Sequence, residues 1–253
     1  MKALFIKGYY KITADMLIGA MIDMGVPSLY LKSELKDAGL SDYFIEMANP
    51  KAKIGAHYFF IPNTSGEIDF TEESWTLKWA KICNKKYKER ISCGINVIKT
   101  VTRAFDELNI KDKSLGMAGI DGSSHAKLYC ILSALDYLGV ENVFTCPFSV
   151  EDGKDEKGKI TKSILKRAVT TTNLSLYAEN ITPFAAAILE SISVDFLPID
   201  GRFLVDNTAY GSDSVEKTDG ENTLSIYLGY FHDRESSIFK SKLKVFGTKN
   251  IFS

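Results

Sequence analysis

The chain has 253 residues, 45% of them hydrophobic and 25% charged, with a formal net charge of −1. That length supports a substantial core in one large domain or two small ones. The near-neutral balance without a like-charge run implies no nucleic-acid affinity, and no stretch approaches the roughly 20 apolar residues of a membrane span.

Lys7 interrupts the N-terminal apolar run and no signal-peptide cleavage site follows it. The four cysteines (Cys83, Cys93, Cys130, Cys146) show no CxxC spacing. A cytoplasmic protein with reduced, mostly buried thiols is the expectation.

In chain order, residues 3–6 (ALFI) predict a buried strand. Helical spacing over about 14–25 puts Met16, Leu17, Ala20, Met21 and Met24 on one face, with Gly25 as the stop. Pro27 opens a second helix that ends at Gly39. Residues 43–47 and 54–61 predict paired strands, followed by a polar turn at 63–67. A helix over 72–83 carries Trp75 and Trp79 on one face, and a long helix spans about 86–109.

The second half alternates more plainly. A strand is predicted at 115–120, a helix at 124–138 with Leu128, Ile131, Leu132, Leu135 and Leu138 inward, and a strand at 142–149. The charged stretch 151–159 is expected to be a solvated loop. Helices follow at 161–169 and 183–192, the second capped by Thr182 with Pro183 at its first position. Strands at 202–208 and 223–230 flank a turn-rich loop. The expected fold is α/β (or α+β), a mixed β-sheet flanked by helices. Residues 1–232 would form one domain, with subdomains at 1–112 and 113–232, and 233–253 a basic tail.

Few residues carry chemistry. Asp121 and His125 lie four apart at a loop-to-helix junction with Ser123 and Ser124 as capping residues. A helix N-terminus disfavours imidazolium, so a neutral His125 beside a carboxylate is half of a metal site. The same free N–H groups suit a phosphate, and Asp-Gly-Ser-Ser is equally ordinary turn and cap chemistry. Asp15 is either a helix-dipole partner or a ligand. Asp15, Asp121 and His125 are therefore the candidate catalytic and metal-binding residues, and Asp15 and Asp121 are expected to face one cleft. His57 is read as a packed strand histidine. GxSxG, HExxH, Walker A and GxGxxG are all absent from the sequence.

Ordered segments resemble the nickel-insertion family, which loads nickel into the pincer nucleotide of lactate racemase. The opening stretch 1–40 is similar to that family's strand, Asp-Cys-Phe-Ser-Gly-Ile-Ser-Gly-Asp-Met and Leu-Gly-Ala helix. ALDYLGVENVFTCPF (134–148), ENITPFAAAIL (179–189), AYGS (209–212) and ENTLSIYLG (221–229) resemble later motifs in the same order. The resemblance covers about 1–45 and 115–230.

The departures are chemical. Lys7, Gly8, Tyr9, Tyr10 and Lys11 stand where the family has Asp-Cys-Phe-Ser-Gly, and the family's His-rich central loop is missing from 62–75. Nickel(II) needs thiolate, imidazole or carboxylate donors, so weak or absent nickel binding by the isolated chain is expected.

Nickel and a pincer-type mononucleotide are implied as ligands by the resemblance alone. Lys7, Lys11, Ser123, Ser124 and Thr182 are the candidate residues for a nucleotide or other anion; the alternative for the two lysines is that they point to solvent. Full family members carry a further C-terminal domain, so a separate partner protein or a homo-oligomer is an expectation. The resemblance implies a divergent nickel-insertion component, of cyclometallase type if catalytic. The alternative is a non-catalytic paralogue acting as a nucleotide- or anion-binding or scaffold subunit.

Overall fold

The computed structural model describes residues 1–40, 46–48, 57–60, 71–82, 88–111, 114–147, 149–151, 154–166, 175–177, 180–212 and 223–232. The strands are β1 (Lys2–Gly8), β2 (Glu46–Ala48), β3 (His57–Phe60), β4 (Asn142–Thr145), β5 (Ser149–Glu151), β6 (Ser175–Tyr177), β7 (Ser193–Phe196), β8 (Phe203–Ser212) and β9 (Thr223–Phe231). The helices are α1 (Ala14–Asp23), α2 (Ser28–Asp37), α3 (Glu72–Ile82), α4 (Lys88–Glu107), α5 (Ser124–Tyr137), α6 (Glu156–Ile164) and α7 (Pro183–Ile192).

Seven strands form one mixed sheet in the order β2-β3-β8-β9-β1-β4-β7, and β5 pairs with β6 separately. β1, β4 and β7 run parallel, while β9 is antiparallel to both β1 and β8. This is the expected mixed sheet flanked by helices. β1 lies between β9 and β4, so both halves of the chain share one sheet.

Alternation along β1 divides the interior. Leu4 and Ile6 face the helices and join a large cluster that also takes Leu224, Ile226 and Leu228 of β9. Ala3 and Phe5 face the other way, where Phe144, Phe203 and Phe231 form a smaller aromatic cluster. The Phe5 ring lies 5.0 Å from Phe144 and 4.5 Å from Phe203. No described helix contributes to this second cluster.

α1 is buried on nearly every side because the sheet covers one flank and α5 the other. Its seat is Gly211 of β8, where an added Cβ would lie 1.9 Å from the Met16 carbonyl oxygen. Gly25 ends the helix region in a left-handed conformation (φ 108°), which an L side chain disfavours.

Local expectations failed in identifiable ways. The stretch predicted as a strand at 115–120 is a 3-10 turn, Leu115–Ala118, which buries Leu115 and Ala118 three residues apart. The charged stretch expected as loop at 151–159 contains the start of α6, because Asp155 accepts a hydrogen bond from Gly158 N at 2.7 Å and caps it. The strand predicted at 142–149 stops at Thr145, just before Cys146 and Pro147. The strand β7 was not predicted; its exposed middle, Val194 and Asp195, carries no alternation. In α4 the buried stripe is Val97, Ile98, Val101, Ala104 and Phe105. Cys93 is half-buried rather than buried. Only the backbone of His57 is described, in β3 beside Gly211. The turn at 63–67, the loop 213–222 and the tail 233–253 lie outside the described residues.

Candidate functional site

The helices that follow or precede the parallel strands run back along the sheet, so the N-termini of α1, α5 and α7 gather at one end of it. This is the carboxyl end of β1 and β4, the usual ligand end of α/β sheets. Thr13 caps α1 by accepting from Met16 N at 3.2 Å. Thr182 caps α7 by accepting from Ala185 N at 3.2 Å, as its sequence position predicted. The two caps belong to one assembly. Ile12 N donates to Asn180 O at 3.1 Å and Thr182 N donates to Ile12 O at 3.3 Å. The loop after β1 is thereby clamped to the segment before α7, and Thr161 Oγ1 holds Ile181 O from α6 at 2.8 Å.

The third N-terminus joins through charge. Lys127, in the first turn of α5, donates to Asp15 Oδ2 at 3.0 Å, and both side chains are largely shielded from solvent. Asp15 is therefore a partner of α5 as well as of its own helix dipole.

Asp121 serves the same helix differently. Its Oδ1 accepts from Ser123 N at 2.8 Å and Ser123 Oγ at 2.6 Å, with Ser124 Oγ at 3.4 Å. Ser124 Oγ in turn accepts from Asp121 N at 3.0 Å. Ser123, expected as a capping side chain, makes no side-chain cap to α5; its hydroxyl is spent on Asp121. Asp15 and Asp121 thus flank the start of α5, each with a local task.

His125 leaves the group altogether. It is fully buried, its ring 3.9 Å from Trp75 and 6.0 Å from Trp79 in stacked geometry. Burial, with a further push from the Lys78 charge, lowers its pKa to about 3, so the imidazole is neutral. Burial also lowers Lys78 itself. The neutral state was expected; its first cause is not the helix N-terminus but burial of the ring against Trp75.

Lys7 corrects a second expectation. By the alternation of β1 it lies on the side of Phe5, away from the helices, with Nζ 4.7 Å over the Tyr9 ring. It therefore does not enter the helix-side cleft. Its charge instead pulls against burial at Cys146, whose thiol is still pushed up to about 11. Lys11 is half-buried in the clamped loop beside Ile12.

A group on this second face escaped the sequence reading. The Tyr227 phenol is pushed up to about 12 by burial and by hydrogen bonding with Tyr9, and it also bonds Ser225. The register sets Lys7 opposite Ser225 and Phe5 opposite Tyr227. Lys7 and Tyr9, two apart around a strand end, were the only signal for it in the sequence.

Among the described residues no three His, Cys, Asp or Glu side chains gather in a metal-binding arrangement. No helix among them is long and apolar enough to cross a membrane.

A protein of Clostridium kluyveri named pyridinium-3,5-bisthiocarboxylic acid mononucleotide nickel insertion protein is 24% identical over 90% of this chain and 62% of its own length. A protein of Geotalea daltonii, provisionally named a nickel insertion protein, is 24% identical over 90% of this chain and 61% of its own. The chain thus spans less than two thirds of each relative. No solved structure matches it significantly. The profile of the family described as nickel insertion protein matches residues 4–249, nearly the whole sequence, and the chain belongs to that family.

Proposed function

We propose that this chain serves nickel insertion as the component that engages an anionic pyridinium mononucleotide, with nickel as cargo handled outside the helix-side cleft. The observation that carries this reading is the meeting of three helix N-termini around the Lys127–Asp15 pair. Each N-terminus presents backbone N–H groups and a partial positive charge of about half a unit. Lys127 adds an ammonium, and Lys11 sits in the clamped loop. The N–H groups and Lys11 favour phosphate or thiocarboxylate, while the Lys127 charge is balanced by Asp15.

The donor set supports the same division of labour. Asp15 holds Lys127, Asp121 holds the two serines, and His125 is stacked on Trp75. The relative from Clostridium kluyveri carries a mononucleotide in its name. Further steps of insertion would fall to additional sequence or to a partner chain, either a separate protein or a second copy.

Two titrations test this. Calorimetry with nickel under reducing conditions is expected to show no stoichiometric site tighter than about 1 μM. Thermal unfolding with nicotinic acid mononucleotide, a pyridinium carboxylate, is expected to show stabilisation of about 2.7 kcal/mol at 100 times the dissociation constant. The double change Lys11→Ala with Lys127→Ala sharply reduces that stabilisation. A tight nickel site, or a nucleotide shift that the double variant keeps in full, overturns the proposal and leaves a scaffold subunit.

A further inference from the structure

α4 carries a second stripe beside its buried one. Asn96, Lys99, Thr100 and Arg103 recur at i, i+3, i+4 and i+7, so they line one side of the helix. With Glu190 and Ser191 from the last turn of α7 they line an open depression of about 330 Å³. That volume falls in the range of small-molecule sites. The depression lies at the far end of α7 from the cleft described above, about 15 Å away for a ten-residue helix.

Two observations separate this place from an ordinary solvated helix face. Lys99 and Arg103 stand four apart on one wall, where like charges repel rather than stabilise. Neither comes within ion-pair distance of an acid among the described residues, and Arg103 acts on the Glu107 charge only at longer range. Independently, Ser191 Oγ is buried and has no hydrogen-bond partner among the described residues. A buried hydroxyl without a partner carries a desolvation cost that a ligand relieves. The wall opposite the two cations offers the Glu190 carboxylate, an acceptor of hydroxyl hydrogen bonds.

The geometry points to a binding site for a hydroxylated phosphomonoester, with its phosphate between Lys99 and Arg103 and its hydroxyls on Glu190. Arg103 supplies a planar fork that matches two phosphate oxygens, and Lys99 a point charge. Asn96, Thr100 and Ser191 complete the wall as neutral hydrogen-bonding groups. The carboxylate sets the selectivity: it repels a bare phosphate and rewards an ester that brings hydroxyl donors to it.

Calorimetric titration of the full chain with ribose 5-phosphate, and separately with inorganic phosphate, tests this. Ribose 5-phosphate is expected to saturate one site and to bind more tightly than inorganic phosphate. Lys99→Ala with Arg103→Ala should weaken both by about tenfold or more. Arg103→Lys, which keeps the charge but loses the fork, should weaken both by less. Glu190→Gln should bring ribose 5-phosphate close to inorganic phosphate without weakening the latter. Far-UV circular dichroism confirms that each variant is folded; both cations are exposed on α4. Absence of saturable ribose 5-phosphate binding overturns the site. So does binding that survives the Lys99/Arg103 change but is lost in Lys11→Ala with Lys127→Ala, since it would then belong to the helix N-termini. Equal affinity for the two probes in the unaltered chain overturns the role of Glu190.

Discussion

The two ends of α7 are built on opposite principles. At its N-terminus polar groups are tied to the protein itself: Thr182 caps the helix, Ile12 is clamped on both sides, and Lys127 is paired with Asp15. At its C-terminus two cations border open space and a serine hydroxyl is buried without a described partner. The first end is held by contacts between segments far apart in sequence. The second lies between the walls of two packed helices, and its polar residues are not needed to join them. The difference teaches that the region most like the family's motifs is also the one most committed to holding the fold. At the N-terminal end a ligand meets backbone N–H groups and Lys11, whereas at the C-terminal end it meets side chains that the fold does not use.

The contrast is broken most severely at Gly211. Gly211→Ala drives a Cβ into the Met16 backbone, so α1 must lift from β8. We expect a loss of about 3 kcal/mol in urea unfolding, with the clamp between 12 and 182 opened and the α4–α7 depression kept. A loss under about 1 kcal/mol would show that α1 is not rigidly seated.

The ring of His125 buried against Trp75 gives the next effect, through pH. His125 is neutral when folded, with a pKa near 3 against an ordinary 6.5. Below pH 6.5 the unfolded chain takes up a proton that the folded chain refuses, so stability falls as pH drops towards 3. Between neutral pH and pH 5 this group should cost about 2 kcal/mol, at 1.36 kcal/mol per pKa unit. His125→Phe should remove that part of the pH dependence. An unchanged slope in the variant would place the titration elsewhere.

Smaller effects sharpen the comparison. Thr182→Ala removes the side-chain cap of α7 and should cost about 1 kcal/mol in thermal or urea unfolding. Lys99→Ala with Arg103→Ala should shift stability by no more than about 0.5 kcal/mol, since both are exposed and mutually repulsive. A larger loss would make the cations part of the fold, as Lys127 is.

Much of the architecture was legible before any coordinates. Helices α1, α5 and α7 and strands β1 and β9 lie close to where periodicity put them, because long apolar patterns and caps act within a few residues. The strand β7 and the start of α6 were missed, since a four-residue strand has no period and Asp155 looked like one more charge in a polar run. Of the candidate site, the cap at Thr182 and the turn at Asp121 were readable, being local hydrogen bonds. The Asp15–Lys127 pair, 112 residues apart in sequence, was not.

What the sequence by itself determined is the set of short-range commitments: which residues start and stop helices, which strand faces are apolar, and which donors the opening loop lacks. These depend on neighbours within one turn or one strand. The tertiary structure alone decided that His125 lies against Trp75, that Lys127 pairs with Asp15, and that the loop after β1 is bonded to 180–182. Each of these joins residues tens to well over a hundred positions apart, and such pairings are chosen by the packing of whole elements, which no local pattern encodes.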